Sequence, residues 1–569
     1  MILLQKYASL CLVILLSIIV ASCSNSGPAM VSTANPHASR AAAAMLEKGG
    51  SAMDAAIAAQ MVLGLVEPQS SGIGGGAFAL YFKADQARLT SFDGREKTPM
   101  EADEDLFLED DGTPLEWQKA SIGGRAVGVP GVVALSWKAH RKFGRLPWRD
   151  LFSPAIALAK QGFKVTPRLH NAIVRSSKAL KRDYGARRVY FTGKSLVPLA
   201  VGAVLKNPEY AKTLKAIAEK GPAGFYQGPL ARAMAEAVQN YQGNPGWLTV
   251  DDLKAYQAVE RQAVCSTYRD YKVCGMPPPT SGGLTSLMIL GMLENFNLGD
   301  MQPGSATAMH LFTQASRLAY ADRGIYMGDT DFIEVPVAGL LNKAYLKQRA
   351  QLINPLIDIG RAKAGTPPET GHDIKRAAGL EMQEYGTSHL SIVDADGNAV
   401  SMTTSVERAF GSHIMVGGFI LNNQLTDFSF VPERNGKKVA NRVEAGKRPR
   451  SSMSPTMIFN RDGSLFAAVG SPGGSRIIEF VTRTVIDLID WHLPMQQAIN
   501  MGNVTNRNRF TELEAGSSVE KFTPAFVAMG HQVKVRPLTS GLHGIRITKT
   551  GMDGGADRRR EGLVIELGR

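Results

Sequence analysis

Gly386-Thr387-Ser388-His389-Leu390-Ser391-Ile392-Val393-Asp394 sets a small residue and then a Thr at the head of a β-strand, deep inside a chain of 569 residues. That is the pattern of a protein that cuts itself before Thr387 and uses the freed residue as its nucleophile. A Thr hydroxyl alone is weak, but the α-amino group released on the same residue can serve as its base. Gly386 suits the cut, because a residue without Cβ leaves its carbonyl open to approach. Thr opens many strands, so the reading depends on what surrounds it.

Downstream, Ser388–Val393 and Ala399–Thr404 read as strands joined by Asp394-Ala395-Asp396-Gly397-Asn398, a hairpin with strong turn chemistry. Further strands are expected near Phe419–Leu421, Thr456–Phe459, Phe466–Val469, Val533, Gly544–Thr548 and Leu563–Glu566, with a helix over Ile477–Ile489. Upstream, His37–Lys48 reads as an Ala-rich helix ended by Gly49-Gly50. Ser51-Ala52-Met53-Asp54 reads as a capping box opening an apolar helix through Val66. Gly72-Ile73-Gly74-Gly75-Gly76 precedes a strand instead of linking strand to helix, which excludes a dinucleotide loop. Residues from about Trp137 to Tyr256 look mostly helical, as do Leu284–Leu293 and Met309–Ile325. Arg361–Ala378 is polar and aperiodic, and is expected to be an exposed, mobile connector leading to Thr387. Helical layers alternating with antiparallel strands predict a layered α+β fold, without internal repeats.

Hydrophobic content of 44% and charged content of 20% are ordinary for a globular protein. The formal charge is +13, with no basic run interleaved with aromatics and no zinc-finger, RRM or KH pattern, so nucleic acid is not expected as a partner. Lys6, the apolar run Leu10–Val20 and Val20-Ala21-Ser22-Cys23 form a signal segment over residues 1–22. Its end resembles a bacterial lipobox with Cys23 as the lipidated N-terminus. An ordinary cleaved signal and an uncleaved anchor are the alternatives, and the run is short of the ~20 residues a spanning helix needs. The expected location is the periplasm, anchored by lipid, with the outer membrane favoured by Ser24. Cys265 and Cys274 flank two short strands and a turn. They are either bonded across that hairpin, as an oxidising compartment favours, or two buried thiols.

Several ordered blocks tie these readings together: Glu67–Gly76, Asp93–Lys97, Pro277–Gly283, Gly386–Asp394, Asn422–Ser429, Lys447–Pro455 and Gly470–Arg476. With them the chain from Met30 to about Gly562 resembles the γ-glutamyltransferases, N-terminal-nucleophile hydrolases. The resemblance implies a four-layer αββα sandwich in which one precursor yields two intertwined subunits, here Cys23–Gly386 and Thr387–Arg569. It implies acyl transfer from glutathione and related γ-glutamyl amides to water or to an amino acid or peptide acceptor, without metal or cofactor. It assigns oxyanion donors to the backbone N–H groups of Gly473 and Gly474, and support of the nucleophile to Ser405. For the amino-acid head of the substrate it assigns Arg95, Ser451 and Ser452 to the α-carboxylate, and Gln424, Asp427 and Glu407 to the α-ammonium.

Two features depart from the family pattern. Glu407 stands where the well-studied transferases carry Asn, and Glu407–Ser412 also resembles the related cephalosporin acylases, which remove glutaryl-type groups. The segment from Asp427 to Ser451 is short and holds no Tyr, so a more open cleft is expected. Asp427 favours the γ-glutamyl reading, because a glutaryl chain offers no ammonium and would leave that carboxylate buried without a partner. A non-enzymatic lipoprotein on the same scaffold is disfavoured by intact Thr387, Arg95, Gly473 and Gly474. His389 shares a strand face with Thr387, but is expected to be structural, since the N-terminal amine makes an external base unnecessary.

Overall fold

The computed structural model describes residues 27–368, 376–379 and 386–568. Cys23, the signal segment expected over residues 1–22 and the residues immediately ahead of Gly386 lie outside them.

Two antiparallel sheets stack face to face. We number their strands β1 (Ala29–Thr33), β2 (Gly76–Lys83), β3 (Arg88–Gly94), β4 (Val259–Arg261), β5 (Val264–Tyr268), β6 (Tyr271–Gly275), β7 (Gly386–Val393), β8 (Ala399–Glu407), β9 (Thr456–Phe459), β10 (Leu465–Gly470), β11 (His543–Thr548), β12 (Gly551–Ala556) and β13 (Leu563–Leu567). The first sheet runs β13-β1-β7-β8-β2-β3-β4, the second β12-β11-β10-β9-β6-β5. The helices used below are α1 (Pro36–Glu47), α2 (Ala52–Val66), α3 (Pro167–Leu180), α4 (Gly282–Leu293), α5 (Ala306–Tyr326) and α6 (Ile477–Ile489).

Strand alternation explains the layers. On β7, Leu390 and Ile392 join the core formed with α1 and α2, while Val393 joins the core shared with the second sheet. On β2, Ala77, Ala79 and Tyr81 face the first core and Phe78, Leu80 and Phe82 the second. The second sheet is covered in turn by α4, α5 and α6, whose apolar residues complete that core. Helices, two sheets and helices make the four-layer α+β sandwich. Each fully buried Leu, Ile or Phe contributes about 1.5–3 kcal/mol, so neither sheet could stand with one face bare.

Strand order also intertwines the two halves of the chain. The nucleophile strand β7 lies between β1, from before Gly386, and β8, from after it. β1 pairs on its other side with β13, near the C-terminus. Cutting before Thr387 therefore leaves both pieces sharing one sheet.

Local chemistry fixes the connections. Ser51 and Asp54 form the capping box that opens α2. The first amide of that helix, Ala52 N–H, donates to the Asp394 carboxylate at 2.9 Å, so the β7–β8 hairpin also caps the helix. Asp394 accepts from Asn398 as well, which closes the hairpin turn. Cys265 and Cys274 sit opposite each other on β5 and β6 and are joined by a disulfide, S–S 2.10 Å.

Of the exposed, mobile connector expected over Arg361–Ala378, the described part is exposed at Arg361, Lys363, Thr366 and Pro368 but is tied to the body by hydrogen bonds. Ala362 and Asn508 exchange two hydrogen bonds, Gly365 N–H donates to Asp322, and Arg376–Ala377 pairs with Lys437–Val439. Residues 369–375 of that segment lie outside the described residues. A polar segment without periodicity can be held through its backbone, a bond that hydrophobic pattern does not register.

Candidate active site

Opposite the head of β7, strand β8 carries a bulge. Gly386 pairs with Glu407 and Ser388 with Thr404, so Thr387 alone faces both Ser405 and Val406. Such a bulge re-aims a side chain at a strand end. Glu407 absorbs it with φ +78°. A Cβ on Gly386 would stand 2.6 Å from the Glu407 carbonyl oxygen, so no larger residue fits this approach.

Around the Gly386–Thr387 bond the hydroxyls converge. Thr387 Oγ1 donates to the Gly386 carbonyl at 2.7 Å. Ser405 Oγ donates to the same carbonyl at 2.5 Å and lies 3.2 Å from Thr387 Oγ1. The Glu407 N–H donates to Ser405 Oγ at 2.9 Å, which orients that hydroxyl toward Gly386. Arg560 Nη1 donates to the Thr387 carbonyl at 2.8 Å and pins the residue from the far side. Ser388 points the other way and donates to Glu67, the cap residue of α2, at 2.6 Å.

His389 is fully buried and hydrogen-bonded to Thr403 at 2.8 Å and Ser391 at 3.1 Å. Burial, with His543 nearby, holds its pKa well below the ordinary value. It makes no bond to Thr387 and is part of the packing between the sheets, as the sequence reading expects.

Gly473 and Gly474 follow β10 and lead through a short 3₁₀ turn into α6. Their φ values of +140° and +63° are open to glycine at little cost. They stand at a helix start, where N–H groups lack partners within the helix and the dipole favours negative charge.

The head-group residues form one connected array. The Glu407 carboxylate accepts from Asn423 Nδ2 at 2.5 Å. The next residue, Gln424, donates to Asp427 at 3.2 Å, and Asp427 in turn accepts from Arg95. Arg95 follows β3, is fully buried, and donates through Nε to the Pro449 carbonyl at 3.0 Å. Two residues on, Ser451 bridges to Thr280, and Ser452 accepts from Arg323 Nη2 at 2.8 Å. Glu96, beside Arg95 and fully enclosed, has its carboxyl pushed up to about 8 by burial, with Arg95 opposing the shift. Arg95 is thus matched mainly with Asp427.

This pairing corrects one expectation. Asp427 was expected to lack a partner unless a substrate ammonium supplied one; Arg95 supplies it instead. The buried carboxylate is therefore compatible with either acyl head, and does not by itself discriminate between them.

The sequence reading missed Asn423, Arg323 and Arg560. Asn423 lies within a quoted block but carried no assigned role. Arg323 is on the inner face of a helix, and Arg560 sits in Arg558-Arg559-Arg560, which reads as a solvated charge run.

The sequence profile described as Gamma-glutamyltranspeptidase matches residues 38–567. The "Glutathione hydrolase proenzyme" of Escherichia coli (strain K12) is 39% identical over 479 residues, covering 83% of this chain and 80% of that protein. The protein of the same name from Bacillus subtilis (strain 168) is 36% identical over 548 residues, covering 95% and 91%. Among solved structures, cephalosporin acylase from Bacillus halodurans superposes with a TM-score of 0.79 at 27% identity, covering 95% of this chain and 96% of that one. A Thr at the head of a shared central strand, its hydroxyl on the preceding carbonyl, and a match over nearly the whole chain place this protein in the γ-glutamyltranspeptidase family of N-terminal-nucleophile enzymes.

Proposed function

We propose that the protein cleaves itself between Gly386 and Thr387 and then acts as a glutathione hydrolase and γ-glutamyltransferase. The observation that carries this reading is the Thr387 hydroxyl, 2.7 Å from the Gly386 carbonyl oxygen, at one end of an array that ends in the buried Arg95–Asp427 pair.

In self-cleavage, Thr387 Oγ attacks the Gly386 carbonyl carbon and the peptide C–N bond breaks. The hydroxyl proton passes to the departing Thr387 nitrogen. Water then hydrolyses the resulting ester, giving the Gly386 carboxylate and a free Thr387. In turnover, the Thr387 amine takes the hydroxyl proton as Oγ attacks the γ-carbonyl of the substrate. That proton goes to the departing amine, leaving an acyl ester on Thr387. Water or an acceptor amine attacks the ester, its proton returns to Oγ, and the product leaves. Gly473 and Gly474 N–H groups stabilise the oxyanion in both acyl steps. Arg95, Ser451 and Ser452 hold the α-carboxylate, while Asp427, Gln424 and Glu407 face the α-ammonium. A zwitterionic head brings its ammonium to Gln424 and Glu407 as well as to Asp427, contacts that a glutaryl head does not make.

The test is kcat/KM of the self-cleaved protein on γ-glutamyl-anilide and glutaryl-anilide side by side. We expect the γ-glutamyl compound to lead by at least about tenfold, the scale of one charge-assisted hydrogen bond. An equal or faster glutaryl rate would assign the protein to the acylase branch, for which Glu407 in place of Asn is the supporting feature.

We also propose export and lipid attachment at Cys23, on the strength of Val20-Ala21-Ser22-Cys23 after an apolar run. The mass of the N-terminal peptide from membrane-associated protein should show a diacylglyceryl-modified Cys23; an unmodified N-terminus downstream of it removes the anchor.

A further inference from the structure

The positive charge of this chain is not spread evenly. Residues 160–206 hold eleven Lys and Arg and one acid, Asp183, a net +10 of the chain's +13. The cations come singly or in pairs, so no basic run stands out in the sequence. The fold gathers this segment into one lobe. α3 is followed by a short helix, Tyr184–Tyr190, and two ribbons pair Phe191–Thr192 with Val197–Pro198 and Phe163–Lys164 with Val204–Leu205. His170 of α3 donates through Nδ1 to the Leu199 carbonyl at 2.8 Å, which ties helix to ribbon. Leu169, Ile173, Leu180, Tyr190 and Leu205 root the lobe in the first core.

Eight of the eleven cations are exposed, and none of the eight forms an ion pair among the described residues. Apolar side chains are exposed among them. On α3, Val174, Arg175 and Lys178 share one exposed side at helical spacing. The guanidinium groups of Arg187 and Arg188 lie 5.8 and 5.7 Å from the centre of the Tyr184 ring. Lys164 and Val204 stand opposite each other on their ribbon, both exposed. Tyr184, Val197, Val201 and Val204 are each more than half exposed, and Val174 is 46% exposed. These five are drawn from twelve large apolar side chains exposed among the described residues, so the lobe is enriched in them as well as in charge. Like charges held together repel until an anionic surface meets them, and apolar groups left in water gain by being covered.

We infer that this lobe is a docking surface for an anionic phospholipid bilayer, with its cations against the headgroups and Tyr184 and the exposed valines among the upper acyl carbons. The mixture of side chains selects a bilayer over other anionic partners. A nucleic acid would neutralise the cations and leave the four valines in water. It would also find one exposed ring, Tyr184, to stack on, since Tyr190 and Phe191 are buried. An acidic protein would need an apolar patch clear of charge at the centre of its contact. Here the apolar groups stand singly between long cations, which a fluid bilayer accommodates by taking each valine between acyl chains and each ammonium or guanidinium at the headgroups. The inference is independent of the acyl-transfer reading and of lipid attachment at Cys23.

The experiment uses the full chain carrying Tyr184→Trp, so that the introduced indole reports contact by the lobe itself and not by the N-terminus. Its signal is the difference from the unsubstituted protein, which has five tryptophans of its own. With vesicles of phosphatidylglycerol and phosphatidylcholine in equal parts, at low salt, the emission should move to the blue and be quenched by doxyl groups on the acyl chains. With phosphatidylcholine alone it should do neither, and high salt should reverse the effect. Lys178→Glu, Arg188→Glu and Lys194→Glu together, all at exposed positions, should raise the lipid concentration for half-quenching by roughly a hundredfold, about fivefold for each cation lost from an anionic surface. The two lipid compositions and the salt series test the inference without that triple variant. Quenching that is absent from both vesicle types, equal in both, or unmoved by the triple substitution overturns it. Flotation with the vesicles without quenching would leave attachment to the N-terminus and also overturns it, as does an emission shift given by an oligonucleotide and not by the vesicles.

Discussion

Thr387→Ala is expected to give a single uncut chain with no acyl-transfer activity. The substitution removes the hydroxyl of the residue that follows the cleaved bond, the Oγ1 that lies 2.7 Å from the Gly386 carbonyl oxygen. It leaves the scaffold intact, because Thr387 is fixed through its backbone: its carbonyl accepts from Arg560, and β7 pairs with β1 and β8 by main-chain bonds. Removing a nucleophile costs about 10⁴-fold or more in rate in enzymes of comparable logic. Gel electrophoresis and intact mass should show one chain indefinitely. Thr387→Ser, which keeps the hydroxyl, should still cut. A Thr387→Ala protein that splits at Gly386 would refute the mechanism.

Ser405→Ala should slow self-cleavage by about 10²–10³-fold, the usual effect of losing one donor to a developing oxyanion. Ser405 Oγ is 2.5 Å from the Gly386 carbonyl oxygen, the atom on which charge grows when Thr387 attacks. The donation is oriented, because the Glu407 N–H occupies a lone pair of the same hydroxyl. The expected readout is slow accumulation of the two subunits from purified precursor over time. Ser405→Thr keeps the hydroxyl and should process near the wild-type rate. If Ser405→Ala matured as fast as wild type, the hydroxyl would have no part in stabilising the cleavage oxyanion. The two substitutions separate two roles, since one removes the attacking atom and the other a donor to the atom attacked.

Much of the local structure was legible in the chain. The Asp394–Asn398 turn, the capping box at Ser51–Asp54, the α6 helix and the strand around Thr387 follow from short-range rules of turn chemistry, capping and periodicity, and the structure bears them out. The strands β1 and β12 were not anticipated. β1 is a run of only five residues, and β12 is Gly-rich with little side-chain signal. Both exist because a neighbouring strand offers an edge. Polar residues carry little tertiary signal in the sequence. The segment beginning at Arg361, expected to be exposed and mobile, is hydrogen-bonded in its described part, and Arg560, to which the sequence reading gave no role, lies against the nucleophile.

What the sequence determined by itself was the chemistry available: a hydroxyl after a glycine at a strand head, a glycine turn before a helix, and an arginine, a carboxylate and two serines fit for an amino-acid head. Only the tertiary structure decided which of these groups meet. Arg95 and Asp427 are 332 residues apart and form one buried pair; Thr387 and Arg560 are 173 apart and share a hydrogen bond. Such contacts depend on strand order and sheet stacking, which arise from burying whole faces at once, so local pattern carries no record of them. That is why the Asp427 argument made from the sequence fails: the partner it lacked was supplied by the fold.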